Sequence, residues 1–454
     1  MVSMVFARLA MWTTLGVAST ACGRVNFEAS RLAALEQHGF IKASVPDAFD
    51  YFGHRVALSD DGSTLAVGAR WEDSAATTIG GDEIDNTRGD AGAAFILVRT
   101  GAGWTQQAYL KADVPSRAEF GFEVALSADG DTLLTTAPFA SGGDAFVFTR
   151  AGTAWSLEAK LTPPTPRGNF GYSAAISDDG NTIAIGDLER DSRTGAAYVY
   201  TRSGATWSDP VELTAPDREP DDIFGDALAL SGDGTTLVVG APWEDSATTA
   251  GSDNSLSGAG AAYLFRRSGQ AWGFEALLKA GSPTSDAGFG SCIAISQDGR
   301  RVAIAAGGAN AFTGAAHVFD RDATVWRESA VLSPAAAEPG DEAAWKIALS
   351  HDGRVLVFGA RSEESAATGV DGDPTDDSLS RAGAAWVFVA DPTWREHAFL
   401  KADHVSANDS FGADVAVAGS TIIVGAPGEA TGTGGLDPSP DQTMYSSGAV
   451  YVFE

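Results

Sequence analysis

Seven times along the chain one phrase returns: Phe-Gly, an alternating apolar run ending in Ser, an Asp-Gly turn, and a second apolar run. It begins at Phe52-Gly53, Phe120-Gly121, Phe170-Gly171, Phe224-Gly225, Phe289-Gly290 and Phe411-Gly412. In one further copy Ala343-Ala344 stands in place of Phe-Gly, ahead of Lys346-Ile347-Ala348-Leu349-Ser350. The starts lie 68, 50, 54, 65, 54 and 68 residues apart. Units of that size are blades or solenoid repeats that must pack on one another to bury their apolar faces.

Each unit carries four strand signals. In unit four these are Leu228-Ala229-Leu230-Ser231, the Asp233-Gly234 turn, Thr236-Leu237-Val238-Val239-Gly240, and Gly260-Ala261-Ala262-Tyr263-Leu264-Phe265. The fourth strand opens on Trp and ends on Leu six residues later: Trp104/Leu110, Trp155/Leu161, Trp207/Leu213, Trp272/Leu278, Trp326/Leu332 and Trp394/Leu400. Six of the eleven Trp share this slot, which reads as a large apolar anchor between neighbouring blades. The same strand carries Lys42, Lys111, Lys279 and Lys401, four of the six Lys. These read as charges on an exposed edge that discourage sheet-to-sheet pairing.

The chain ends at Glu454 after the third strand of unit seven, Tyr451-Val452-Phe453. The missing fourth strand is at the other terminus, because Phe40-Ile41-Lys42-Ala43 parallels Tyr109-Leu110-Lys111-Ala112. The expected fold is therefore all-β: a seven-bladed β-propeller of four-stranded blades. Residues near Leu35 to Ser44 close the last blade and remove its open seam.

Phe-Gly at the start of the unit and Gly-Ala-Pro after the second strand resemble the FG-GAP repeat of integrin α-chain heads and many bacterial surface proteins. Gly240-Ala241-Pro242 and Gly425-Ala426-Pro427 match in full, and Gly68-Ala69-Arg70, Thr136-Ala137-Pro138 and Gly359-Ala360-Arg361 in part. Units three and five depart from it, with Gly186-Asp187-Leu188 and Ala305-Ala306-Gly307. The resemblance spans about residues 35–454 and implies a seven-bladed propeller with an interaction role. The short Ser-x-Asp-Gly turns also resemble periplasmic TolB-like propellers. Integrin-type repeats often hold calcium between the first two strands. Here that link shrinks to Ser59-Asp60-Asp61-Gly62 and, in unit seven, Ala418-Gly419-Ser420, too few oxygens for a coordination number of 6–8.

Residues 1–21 read as a lipoprotein-type export signal. Arg8 is their only charge, Leu9 to Val17 is mostly apolar, and Ser19-Thr20-Ala21 precedes Cys22-Gly23 like a lipobox. That resemblance implies lipidation at Cys22, a tether over 22–34, and placement as an outer-membrane or cell-surface lipoprotein. Plain secretion is the other reading, and a lipid anchor is the only membrane contact expected. The remaining Cys292 sits in an apolar run and reads as a small buried thiol. The formal charge of −30 argues against nucleic acid, whose phosphates would be repelled. A monomer is expected.

The informative segments are the long loops between second and third strands in units one, four, six and seven. Trp71-Glu72-Asp73-Ser74 matches Trp243-Glu244-Asp245-Ser246, and Ser362-Glu363-Glu364-Ser365 and Gly428-Glu429-Ala430 are weaker versions. Downstream lie Asp82, Asp85, Asp253 and the cluster Asp371, Asp373, Asp376, Asp377. Such loops emerge on one face of a propeller. Their carboxylates suit Ca²⁺, best at the Asp371–Asp377 cluster, or make turns in solvated loops. Trp71 and Trp243 are either sugar platforms or covers for the core. Arg88-Gly89-Asp90 is an integrin-ligand tripeptide, common by chance in a chain this rich in Gly and Asp.

No His-Glu-x-x-His, nucleophile elbow or phosphate loop is present. The sequence thus points to a non-enzymatic module binding a protein or glycan through acidic loops. The partner-binding candidates are Trp71, Glu72, Asp73, Asp82, Asp85, Trp243, Glu244, Asp245 and Asp253. The alternative is a carbohydrate-active hydrolase or lyase using loop carboxylates.

Overall fold

The computed structural model describes residues 35–101, 103–165, 168–249 and 253–454. The segments read as an export signal and a tether, with Cys22, lie outside them. Seven antiparallel sheets form a ring. Blade one runs outward from the axis through Phe52–Leu58, Thr64–Ala69, Ala93–Thr100 and Gly103–Leu110. The other blades repeat this order. In blade three the outer strand splits into Thr206–Trp207 and Val211–Leu213. Pro210 falls in the gap, where it has no N–H to donate to the ladder.

Blade seven is built from both ends of the chain. Gln37–Ile41 pairs antiparallel with Ala449–Phe453, in a register that sets Phe40 against Tyr451 and Ile41 against Val450. Glu36 and Glu454 exchange both backbone hydrogen bonds, at 3.0 and 3.1 Å. Ile41 and Val452 join Val67 and Phe95 in one core between blades seven and one. The closure is therefore packed like any other blade junction.

The signature glycines have a steric cause. The Phe-Gly of one blade lies against the Gly-Ala-Pro glycine of the blade before it. A Cβ on Gly68 would stand 2.1 Å from the Gly121 carbonyl oxygen, and one on Gly425 2.1 Å from that of Gly53. No side chain fits at those two junctions, whereas unit two carries Thr136 at this position, its Cβ 2.9 Å from where one on Gly171 would stand. Where unit five has Ala305 at this position, the facing residue is Ala344, so both halves of the pair depart together. The Phe is an anchor, as Phe120 is fully buried with its ring 5.2 Å from that of Phe146. Unit six has Ala343 instead, and the third-strand position held elsewhere by Phe, Tyr or, in unit five, His317 becomes the buried Trp386. The larger ring replaces lost volume, which close packing demands.

The outer-strand Trp joins neighbouring blades as expected, and its indole N–H adds a polar link. Trp155 donates to Gln107 at 2.9 Å, Trp207 to Glu158 at 3.0 Å and Trp326 to Glu275 at 3.1 Å, each on the preceding blade.

Strand direction sorts the connections. The Ser-x-Asp-Gly turns and the third-to-fourth hairpins occupy one face. The long loops and the blade-to-blade connections occupy the other. On the turn face the residues after each Ser form a chain of backbone hydrogen bonds: Asp60 to Ala128, Ala128 to Asp178, Asp178 to Gly232, Gly232 to Gln297, and Gln297 to His351, at 2.9–3.0 Å. Unit seven, with its shortened turn, supplies no member. The gap is spanned by His351 Nδ1, 2.6 Å from Asp60 Oδ1. This ring surrounds an axial cavity of about 110 Å³. The face is thus closed by backbone, whereas the loop face is free to vary.

Candidate functional site on the loop face

The four expanded loops share one internal scaffold, which overturns the edge-charge reading of the lysines. Lys42, Lys111, Lys279 and Lys401 are buried, not on an exposed edge. Each reaches the Glu of its own blade's loop: Lys42 to Glu429 at 2.5 Å, Lys111 to Glu72 at 2.7 Å, Lys401 to Glu363 at 2.6 Å, and Lys279 to Glu244. Units two, three and five lack the long loop and place Thr162, Thr214 and Ser333 where the others have Lys. That correlation was present in the sequence, and it was the missed signal. Burial lowers the Lys42, Lys111 and Lys401 ammoniums, opposed by their Glu partners.

Edge protection comes instead from the loops. Val370 bridges to Leu400, and Leu436 bridges to Ile41. Asp371 Oδ1 accepts the Phe399 N–H at 3.0 Å and Asp437 Oδ1 that of Phe40 at 2.8 Å. The loops of blades six and seven thereby add a short fifth segment along the outer strand.

A buried Asp completes each cluster. Asp50, Asp222, Asp341 and Asp409 lie two residues before the Phe-Gly position and accept N–H bonds from Asp47, Glu219, Glu338 and Ser406 at 2.7–3.2 Å. Desolvation raises all four, and the neighbouring loop Glu adds to it. Asp50 reaches about 8, Asp222 and Asp409 about 7, and Asp341 about 6. A carboxyl raised above its unfolded value stabilises the fold below pH 3.8. That contribution is lost between pH 3.8 and each group's own folded pKa, about 6 for Asp341, about 7 for Asp222 and Asp409 and about 8 for Asp50. Each pH unit inside that interval costs about 1.4 kcal/mol per group. Denaturant midpoints are expected to fall from pH 6 to pH 9, and Asp50→Asn, which keeps an acceptor for Asp47, should shrink that fall. An equal fall in the variant would show that Asp50 is ionised throughout.

The remaining loop acids build the loops. Asp73 accepts the Asp90 N–H and Asp245 that of Gly258, both at 2.7 Å. Asp85, Asp253, Asp376 and Asp441 hold equivalent turns, accepting N–H groups from Thr87, Ser255, Ser378 and Thr443 at 3.0–3.2 Å. Asp82 and Asp373 make the same turn to Ile84 and Thr375, both at 3.0 Å. The N–H groups of Ala247 and Gly432 hold Asp253 and Asp441 down at about 2. Among the described residues no group of three His, Cys, Asp or Glu converges as a metal would need. Asp371, Asp373 and Asp376 are each engaged with a backbone N–H, and Asp377 is exposed beside them. These four carboxylates form no such group.

Of the partner-binding candidates, Glu72 and Glu244 are each 4 % exposed and serve the scaffold. Trp71 is half-buried, packed between the tilted Tyr51 ring at 4.5 Å and Arg70 at 4.7 Å. Trp243 is 56 % exposed. Asp90 of the Arg-Gly-Asp tripeptide sits at φ 53°, a position held by Gly258 at 59° and Arg381 at 52° in blades four and six. Arg88 pairs with Asp113 and donates to the Val114 carbonyl. The tripeptide is a folded part of the loop scaffold.

Two further sets escaped the sequence reading. The third residue after the Phe-Gly phenylalanine supplies Arg55, Glu123 and Asp414 on the inner strands. Arg55 pairs with Glu123 at 3.0 Å, and Asp414 accepts the Val56 N–H at 2.8 Å. The other set is apolar. Phe49, Ile84, Phe139, Phe312, Trp345, Leu436 and Tyr445 are, like the candidate Trp243, exposed on the loop face. No local rule of sequence distinguishes an exposed aromatic from a buried one. Among the described residues no helix is long and apolar enough to cross a membrane.

The FG-GAP repeat pattern matches residues 36–97, 155–200, 207–265 and 394–453, together half of the chain. No curated protein matches it. With the Phe-Gly and Gly-Ala-Pro glycines meeting at blade junctions around a ring of seven, the chain belongs to the FG-GAP repeat family.

Proposed function

We propose that this propeller is a non-enzymatic, exported interaction module that binds a protein or glycan partner through its loop face. The supporting observation is the placement of exposed apolar side chains. Ile84 at 75 %, Tyr445 at 76 %, Trp243 at 56 % and Phe49 at 55 % all stand on that face. Side chains of that size left in water mark contact sites when they cluster. The acidic loops that carry them are held by buried Lys–Glu pairs, so a rigid base presents a variable surface. Tethering through a lipid on Cys22 would place this face at the cell surface.

A glycan array and a displayed-peptide library, each probed with and without calcium, test the reading. Binding is expected to drop when Trp243 and Tyr445 are both changed to Ser. Polysaccharide turnover abolished by a single loop Asp→Asn change would replace the reading with an enzyme. For the tether, Cys22→Ser should release the protein to the medium, and a variant that stays with the membrane refutes lipidation there.

A further inference from the structure

We infer that the partner docks at the seam between blades seven and one, and that it presents a cationic protein segment with an apolar side chain beside its Lys or Arg. This deepens the loop-face reading and rests on it.

The seam is where the two ends of the chain meet, and three segments converge there. They are the connection 43–51, the blade-one loop 74–87 and the blade-seven loop 430–447. Phe49 N–H donates to the Tyr445 carbonyl at 2.8 Å, and Tyr51 N–H to that of Ser446 at 3.1 Å. Ser44 Oγ reaches Glu83, and Asn86 reaches Asp47, which brackets Ile84 against the same connection. Five of the fourteen exposed large apolar side chains among the described residues gather here: Val45, Phe49, Ile84, Leu436 and Tyr445.

What would cover them follows from charge and from the rings. The three segments contain no Lys or Arg. They carry Asp82, Asp437 and Asp441 exposed, with Asp47, Glu83 and Asp85 half-buried. Elsewhere on this face two aromatic rings already hold a cation: Arg361 lies 3.4 Å from the Trp345 ring centre and Arg70 4.7 Å from that of Trp71. Phe49 and Tyr445 are exposed aromatic rings with carboxylates beside them. Among the described residues neither has a ring or cation on its face. A guanidinium or ammonium brought by a partner would satisfy ring face and carboxylates together, while its neighbouring apolar side chain covers Ile84 and Leu436. A neutral glycan would leave the carboxylates uncompensated, and an acidic partner would be repelled.

The test uses the full chain, immobilised, and a displayed library of random dodecapeptides. Selected peptides are then measured in solution against the wild type, against Phe49→Ser/Tyr445→Ser, and against Phe139→Ser/Phe312→Ser on other blades of the same face. The expected peptides carry at least two Lys or Arg and an apolar residue. Their affinity falls at least tenfold in the seam variant, stays within twofold in the other, and weakens between 50 and 300 mM salt. The seam variant keeps every charge, so non-specific attraction of cations to an acidic protein would survive it. Selected peptides without Lys or Arg, no selected peptide at all, or equal affinity in the seam variant overturns the inference. Loss in the Phe139/Phe312 variant alone overturns the seam while leaving the loop-face reading in place.

Discussion

Lys401→Met is expected to destabilise the propeller by about 3–5 kcal/mol at pH 7, the usual cost of removing one partner from a buried ion pair. Glu363 is 2 % exposed, and its Oε1 has no hydrogen-bond partner among the described residues, so Lys401 is the main compensation for its charge. Met fills the space of the Lys stem but leaves the carboxylate stranded. The uncompensated buried charge, more than lost packing, carries the expected loss. Glu363→Gln added to Lys401→Met removes the stranded charge and should recover part of the loss. Urea denaturation of the three proteins at pH 7 measures this. A single variant within about 0.5 kcal/mol of wild type, the range of an ordinary surface change, would mean that the pair is neutral and holds no loop in place.

The second large effect concerns the blade junction. Gly121→Ala should destabilise by roughly 2–4 kcal/mol, combining positive-φ strain with forced backbone movement. Gly121 sits at φ 85°, and a Cβ there would lie 2.0 Å from the Ala93 carbonyl oxygen. Gly152, in the blade-two hairpin, is the internal control. Its φ is 65°, but nothing lies within 4 Å of a Cβ there. Gly152→Ala therefore carries the backbone term alone, about 1 kcal/mol. Matched denaturation curves separate the two. If both variants lose the same amount, the Phe-Gly glycine is conserved in phase for its dihedral angle and not for the close approach of neighbouring blades.

How far the sequence could be read depended on whether a feature repeats. The Phe-Gly phase, the Trp-to-Leu spacing and the parallel between residues 40–43 and 109–112 each state the same fact more than once. Seven blades and the terminal closure followed from them. The outer-strand lysines show the opposite case. Lys42, Lys111, Lys279 and Lys401 stand on edge strands, where a charge usually protects against pairing, and local reasoning placed them in solvent. Their partners Glu429, Glu72, Glu244 and Glu363 lie 35–39 residues away in three blades and 387 in the closing one. Only the presence of Lys in the four long-loop units and its absence from the other three hinted at the pairing.

The acidic loops could be read two ways from sequence, as calcium ligands or as turns. Asp371, Asp373, Asp376 and Asp377 are carboxylates in series, which suit either role. In the folded chain Asp373 and Asp376 each accept the N–H two residues on, which is the turn role. Whether an oxygen is free is a property of the backbone N–H beside it.

By itself the sequence determined the architecture, because a period-two apolar pattern repeated in phase has one economical way to bury its faces and seal its ends. The tertiary structure alone decided which charges are buried, which acids are spent on turns, and that Phe49, Ile84 and Tyr445 meet in the open at the seam. Those outcomes depend on distances between segments far apart in the chain, and burial is a property of the neighbours a residue acquires, not of the residue.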